Sequence, residues 1–219
     1  MNSTLKKGFT LVELLIVIGI LAVLATTAVI ILNPAQLLAQ ARDSQRLSDM
    51  GSLQSALALF ATDVSGTEFD LNGSAANADC AALPATRIPY QQLATSGTTN
   101  NSFEAAGTAR STALRGVNGA VPPATGSGWL PIDFTDIDSG SPLANLPIDP
   151  LTTGNFVYRY TCNQPTAGDN GTFELNACLE SAKYVTYMDN DGGDDSNSTG
   201  TCAAGDRYFE IGTEPGLDL

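Results

Sequence analysis

Residues 7–32 read KGFTLVELLIVIGILAVLATTAVIIL, and this stretch decides the architecture of the chain. From Phe9 to Leu32 it contains a single charged residue, Glu13. As a helix rising ~1.5 Å per residue, residues 9–32 would extend about 36 Å, which exceeds the ~30 Å hydrocarbon core of a bilayer. The stretch therefore predicts a transmembrane helix.

Other interpretations of residues 9–32 are a cleaved secretory signal, an ordinary membrane anchor and a buried core helix. The apolar run is longer than the roughly 7–15 residues of a secretory signal, and Ala25 to Ala28 offer a poor cleavage site. A core helix of such purity would be unusual in so small a protein. An ordinary anchor has no use for Glu13, because a charge inside a membrane helix costs roughly 2.5–3.5 kcal/mol. We therefore expect Glu13 to have a partner and a function.

The string Lys7-Gly8-Phe9-Thr10-Leu11-Val12-Glu13 resembles the processing motif of prepilins, the precursors of type IV pilins and pseudopilins. The resemblance implies that residues 1–8 are a leader, that a prepilin peptidase cuts between Gly8 and Phe9, and that the new Phe9 amine is methylated. It also implies that Glu13 meets the Phe9 amine of a neighbouring subunit. Because an unpaired carboxylate and an unpaired ammonium are both costly in lipid, docking in register relieves both charges.

Residues 33–62 are predicted to continue the helix in amphipathic form. Pro34 lacks a backbone donor and crowds the carbonyl of Ile30, which predicts a kink. Apolar residues then recur at spacings of three and four and predict a stripe packed on a sheet: Leu47, Met50, Leu53, Leu57 and Phe60. The charged residues in this segment lie largely off that stripe, and they indicate either a solvated face or a contact between subunits: Arg42, Asp43, Arg46 and Asp49.

Residues 63–150 are rich in Gly, Ser, Thr, Ala, Asn and Pro and predict a variable, loop-rich insert. Within the insert we expect a short helix at residues 103–117 and a short strand or ordered loop at residues 129–134. Residues 151–219 predict an antiparallel sheet of about four strands, drawn from residues 156–162, 173–180, 183–188 and 207–211. The predicted fold class is α+β, a long N-terminal helix packed on a C-terminal antiparallel sheet.

Four cysteines occur in the chain, and none forms a C-x-x-C pair: Cys80, Cys162, Cys178 and Cys202. A zinc site or redox motif is therefore poorly supported. In an exported chain, an even number of cysteines predicts two disulfides. We expect Cys162–Cys178 to join neighbouring strands and Cys80–Cys202 to tie the insert to the C-terminal region.

An acidic loop, DNDGGDD at residues 189–195, is a candidate calcium site. Calcium takes roughly six to eight oxygen ligands, and four carboxylates on a glycine-containing turn suit it: Asp189, Asp191, Asp194 and Asp195. The loop begins like an EF-hand, but its glycine is misplaced and no glutamate stands at the twelfth position. Related pseudopilins carry a calcium site in a comparable loop. The alternative is a solvated acidic turn.

The composition disfavours two classes of function. With 10 basic and 23 acidic residues the formal net charge is −13, so nucleic acid is not an expected direct partner. The chain has no histidine, the commonest general base, and we found no nucleophile–base pattern or phosphate loop. An enzyme is therefore not expected, and a membrane-anchored enzyme is the least supported alternative.

The resemblance implies a structural subunit of a type IV pilus, a homo-oligomeric helical filament serving adhesion, motility or DNA uptake. Its implied partners are the prepilin peptidase and the pilus assembly platform. Before assembly it would lie in the inner membrane, and afterwards in an extracellular filament. The long insert and the disulfides favour this function. LPIDP at residues 146–150 and the acidic loop favour the alternative, the major pseudopilin of a type II secretion system.

Overall fold

The computed structural model describes residues 8–64, 90–92, 104–105, 108–109, 113–115, 122–126, 128–130, 132–151, 156–163, 172–189, 191 and 208–213. The chain divides into two compact units, Met1–Ala39 and Gln40–Leu219, and each is described by itself.

The first helix, α1, spans Leu11–Leu32, and none of its residues is buried. Its apolar side chains face outward all round, from Leu11 at the start to Leu32 at the end. A soluble protein would bury such a surface, whereas a bilayer is a suitable solvent for it. The helix is long and apolar enough to cross a membrane, as the sequence predicted.

The backbone bends at Asn33, between α1 and α2. Asn33 adopts a left-handed conformation with φ of 40° and ends α1 as its C-cap. The next helix, α2, spans Pro34–Asp63 and begins with the proline, whose missing N–H costs nothing at the first helical position. The carbonyl of Asn33 accepts hydrogen bonds from Gln36 and Leu37 at 3.0 and 3.3 Å. The predicted kink is therefore confirmed, and Asn33 supplies the change of direction.

Within the second unit, α2 packs its apolar stripe into the core. Of the five predicted stripe residues, Leu47 is half-buried. The other four are completely buried: Met50, Leu53, Leu57 and Phe60. The sheet contributes Tyr160, Phe173 and Leu175 to the same cluster. The α+β architecture is thus confirmed.

The sheet is built around three antiparallel strands, β5 (Arg159–Asn163), β6 (Thr172–Ala177) and β7 (Phe209–Gly212). In register, Cys162 faces Phe173, and Ala177 faces Phe209. Two short strands extend the sheet beyond β5: β1 (Tyr90–Gln92) pairs antiparallel with β5, and β4 (Ala113–Arg115) pairs parallel with β1. The order is β4-β1-β5-β6-β7, so the described sheet has five strands rather than about four, and one pair is parallel.

Two predicted elements are wrong. Residues 103–117 contain short strands instead of a helix: β2 (Glu104–Ala105), β3 (Thr108–Ala109) and β4. Residues 183–188 form a turn and a 3₁₀ helix, Val185–Met188, instead of a strand. The carbonyl of Ser181 accepts the N–H groups of Tyr184 and Val185, and this local turn replaces strand pairing.

The described residues between 129 and 134 form an ordered segment that is largely buried, and they are not a strand. Trp129, Leu130, Ile132 and Phe134 are fully inaccessible and join the core cluster. The indole Nε1 of Trp129 donates to the carbonyl of Pro147 at 2.9 Å. A 3₁₀ helix follows at Phe134–Asp136. Part of the Gly- and Ser-rich insert therefore closes the core on the side of α2.

Candidate assembly and processing site

The predicted cleavage junction is accessible. Gly8 and Phe9 are both exposed and precede α1, and the Phe9 side chain is 88% exposed. A Cβ added at Gly8 would meet nothing within 4 Å. The fold of this chain therefore does not require glycine at position 8. Residues 1–7 of the predicted leader lie outside the described residues.

Glu13 is held by the start of its own helix. One carboxylate oxygen, Oε2, accepts hydrogen bonds from the backbone N–H and the hydroxyl of Thr10, both at 2.9 Å. In return, the Glu13 N–H donates to Thr10 Oγ1 at 3.2 Å. This reciprocal arrangement is a capping box, which satisfies backbone donors that a helix start leaves open.

The capping box was missed by the sequence reasoning, although the spacing Thr10-x-x-Glu13 signals it. It holds the Glu13 carboxylate against the backbone N–H of Thr10, the residue after Phe9, on an exposed surface. The carboxylate is thus ordered in a single subunit and remains accessible to a cation from outside.

A family model of the prokaryotic N-terminal methylation motif matches residues 4–29. The match includes Gly8, Phe9 and Glu13, and the motif is the signature shared by prepilins and pseudopilins. The chain carries the prepilin signature. Comparison with curated proteins and with solved structures gave no significant match.

The prepilin signature has general consequences for the chain. It implies processing by a prepilin peptidase and assembly into a filament. Proteins of this kind are structural rather than catalytic. The exposed apolar surface of α1 and the signature are together consistent with membrane insertion.

A second set of polar residues in this chain is buried in the Gln40–Leu219 unit. Arg46 is completely buried, and its guanidinium binds three carboxylates. Nε and Nη2 donate to Asp149 at 2.7 and 3.0 Å, and Nη1 donates to Asp43 at 2.7 Å and to Glu180 at 2.8 Å. The ring of Phe156 lies 4.8 Å from the guanidinium carbon. We call Arg42, Asp43, Arg46, Asp149 and Glu180 the ionic cluster.

The remaining members tie α2 to the loop after β6. Arg42 donates to both carboxylate oxygens of Glu180, at 2.6 and 2.7 Å. The carboxylate of Asp43 accepts the backbone N–H groups of Glu180 and Ser181 at 2.7–3.2 Å. We expected these charges to lie on a solvated face or at a contact between subunits. Both expectations are wrong for Asp43 and Arg46, because their side chains are buried inside one subunit.

Burial and charge act in opposite directions on the ionic cluster. Burial alone would lower the pKa of Arg46, but hydrogen bonds and charge from Asp149, together with Glu180 and Asp43, raise that pKa above its ordinary value. Burial alone would raise the pKa of Glu180, but Arg42 and Arg46 outweigh it, and the pKa is lowered. Arg46 and Glu180 are therefore both charged near neutral pH.

Asp49, the fourth charge singled out in the sequence, stands beside the cluster. Its Oδ2 accepts the Tyr158 hydroxyl at 2.7 Å, and its Oδ1 accepts the Gln45 amide at 2.7 Å. Burial raises the pKa of Asp49, and these hydrogen bonds offset only part of that effect. The pKa of Tyr158 is also raised, first by burial and then by Asp49.

Two cysteines lie in the described sheet region, and the expected bridge between them is wrong. Cys162 and Cys178 are both disulfide-bonded. Cys162 faces Phe173 across the strands, and Cys178 lies five residues beyond Phe173, about 16 Å along the strand. Because the Cα atoms of a disulfide lie within about 7 Å, these two cannot bond to each other. Cys80 and Cys202 lie outside the described residues.

The acidic loop is only partly described. Asp191 Oδ2 accepts the backbone N–H of Glu210 at 2.8 Å, which ties the loop to β7. The N–H of Asp189 donates to the Thr186 carbonyl at 3.3 Å. Asp194 and Asp195 lie outside the described residues. Among the described residues, no group of three or more His, Cys, Asp or Glu side chains is arranged to hold a metal ion.

Proposed function

We propose that this prepilin is the structural subunit of a type IV pilus, polymerised into a homo-oligomeric helical filament through its N-terminal helix. The observation that carries the proposal is the ordered Glu13 carboxylate at the start of a fully exposed apolar helix, beside an accessible Gly8–Phe9 junction. Before assembly the bilayer covers α1, and in the filament other copies of α1 would cover it. No catalytic step is assigned to the chain.

In this proposal, cleavage after Gly8 creates an amine at Phe9, which pairs with Glu13 of a neighbouring subunit. The neighbour's amine approaches a carboxylate already fixed by Thr10, so little side-chain freedom is lost on docking. Glu13 Oε1 has no hydrogen bond to the capping box and can accept the incoming amine. Pairing also removes two charges from contact with lipid. The assembly platform and the extracellular location follow from this function.

The test is the effect of Glu13→Ala on filament formation, with Glu13→Gln as a matched variant that keeps the cap but loses the charge. We expect both variants to enter the membrane, and both to form filaments slowly or in reduced amount. If Glu13→Gln filaments form at the wild-type rate and only Glu13→Ala is impaired, helix capping rather than charge pairing explains the residue. Normal filaments from both variants would show that assembly does not depend on Glu13.

The second candidate function is the major pseudopilin of a type II secretion system. It is favoured by the LPIDP segment, whose Asp149 completes the ionic cluster, and by the acidic loop. Deletion of the gene distinguishes the two functions. Loss of surface fibres with normal protein secretion supports the pilus, and accumulation of secreted enzymes in the periplasm supports the pseudopilin.

Calcium binding at residues 189–195 remains a proposal that applies to either function. It is supported by the carboxylates of Asp189 and Asp191 and, in the sequence, by Asp194 and Asp195. Bound calcium would stabilise the folded unit by mass action. Identical melting of the full chain with millimolar calcium and with chelator would leave a solvated acidic turn.

A further inference from the structure

The part of α2 inside the Gln40–Leu219 unit is attached by two different kinds of contact. From Met50 onward, its buried face is apolar and lies in the core: Met50, Leu53, Leu57 and Phe60. Before Met50, the completely buried side chains are charged, Asp43 and Arg46, and the half-buried Leu47 packs against a smaller apolar cluster. The same helix face thus changes from ionic to apolar contact within about one turn.

The ionic contacts use a separate part of the unit. Arg46 and Arg42 reach Asp149, which precedes β5, and Glu180, which follows β6. Asp43 binds backbone N–H groups in the same loop as Glu180. The apolar part of α2 instead packs against side chains of the strands, such as Tyr160 and Leu175. The two attachments therefore hold α2 to different structures, and they meet at Asp49, which accepts the hydroxyl of the core residue Tyr158.

We propose that the ionic cluster is a latch that docks residues 40–49 of α2 independently of the apolar core. A buried guanidinium is tolerated only with its carboxylates in place, so losing one partner destabilises the whole cluster. Apolar contacts from Met50 onward are non-directional and do not depend on that geometry. When the latch opens, residues 40–49 leave the two loops and give up the Leu47 packing and the Asp49–Tyr158 hydrogen bond, while residues 50–60 stay on the sheet. The latch is a property of one subunit and does not rest on the proposed function.

The experiment is hydrogen–deuterium exchange of the full chain in detergent micelles near neutral pH, comparing wild type with Arg46→Met. Methionine keeps much of the side-chain volume and removes the charge. We expect amide exchange in residues 40–49 and 178–181 to accelerate about tenfold or more, with β5 and β6 unchanged. Arg42→Met is the matched control and should have a smaller effect, because Arg42 is partly exposed and Arg46 still holds Glu180.

Leu53→Ala provides the opposite comparison, since a cavity in the core should accelerate exchange in α2 and in the strands together. Equal acceleration of α2, β5 and β6 in Arg46→Met would overturn the proposal, because the cluster would then belong to a single cooperative core. No acceleration anywhere would overturn it as well. If Arg46→Met does not fold, Arg46→Lys, which keeps the charge, serves instead. Loss of the folded sheet in both variants would also contradict an independently opening latch.

Discussion

At the scale of single residues, Arg46 shows how a charge is accommodated in the interior. Its guanidinium has donors in a fixed planar fork, and three carboxylates from α2 and two loops occupy them. Removing water from these charged groups costs free energy, which offsets much of the attraction within each ion pair. The main effect of the cluster is therefore to fix the positions of the segments that carry the charges. The cluster therefore fixes where α2 meets Asp149 and Glu180.

The ionic cluster predicts a pH dependence through Glu180. Because its pKa is lowered in the folded state, Glu180 stabilises the fold fully above its unfolded pKa of about 4.3. That contribution is lost as the pH falls through the folded-state pKa. We expect Glu180→Gln to lower the free energy of unfolding by ~2 kcal/mol near pH 7 and to flatten its fall in acid.

Urea unfolding of the full chain in detergent at a series of pH values measures this effect. Asp138→Asn, an exposed carboxylate outside the cluster, is the control and should leave the profile nearly unchanged. Parallel wild-type and Glu180→Gln profiles would show that Glu180 does not carry the acid sensitivity. Asp49 has the opposite effect on the pH dependence of stability. Because burial raises its pKa, its ionised form lowers the free energy of unfolding.

The buried charges could have been found by extending the predicted stripe toward the N-terminus. Arg46 stands four residues before Met50, and Asp43 three residues before Arg46, so both continue the same helix face. Their charge led to the expectation of solvent or a neighbouring subunit. Their partners Asp149 and Glu180 are more than a hundred residues away in the sequence, and no local pattern indicates those contacts.

At the scale of elements, the helices were predictable because their signals are local. An unbroken apolar run, an Asn-Pro bend and a stripe with helical spacing defined α1 and α2. The sheet was less predictable because pairing is decided by distant residues. Residues 183–188 have strand-forming side chains, yet the turn at Ser181 and the packing of Met188 beside Cys178 and Leu179 make them a 3₁₀ helix.

Two glycines are expected to respond in opposite directions to alanine. At Gly212, in β7, a Cβ would clash with the Phe173 carbonyl oxygen and would lie 2.9 Å from the Glu174 Cα. Because both are backbone atoms, Gly212→Ala should separate β6 from β7 and lower the free energy of unfolding by ~1–3 kcal/mol. At Gly51, in α2, a Cβ would meet nothing within 4 Å. Gly51→Ala should stabilise the helix by ~0.5–1 kcal/mol.

Both changes are measured by denaturant unfolding of the full chain in detergent, where Gly51 is not covered by other subunits. Stabilisation by Gly212→Ala would mean that β7 is not paired in the described register with β6. Destabilisation by Gly51→Ala would indicate a close neighbour on that face of α2.

At the scale of the whole molecule, the disulfides are predicted to join distant parts of the chain. Cys178 follows Ala177, which faces Phe209, and packs with Tyr208. Cys202 lies six residues before Tyr208 in the sequence, so it is the nearer partner for Cys178. We therefore predict Cys178–Cys202 and Cys80–Cys162. Peptide mapping without reduction decides this, and a Cys80–Cys178 or Cys162–Cys202 peptide would contradict it.

In the proposed function, a processed N-terminus allows the subunits to form a filament. Cleavage after Gly8 removes Lys6 and Lys7, which changes the formal side-chain charge from −13 to −15 (−13 − 2). After this cleavage, the segment from Phe9 to Leu32 would carry two charged groups, the Glu13 side chain and the new amine at Phe9. Charge neutralisation between these two groups is possible only after the leader has gone.

The most direct test is intact-mass measurement of the subunit isolated from assembled filaments. We predict a chain that starts at Phe9, carries one added methyl group on its amine and contains no residue of the leader. A Gly8→Ala variant, which the fold accommodates because a Cβ there meets no neighbour, should stay in the membrane with its leader intact. Assembled filaments whose subunits still begin at Met1 would contradict cleavage after Gly8 as the step that allows assembly.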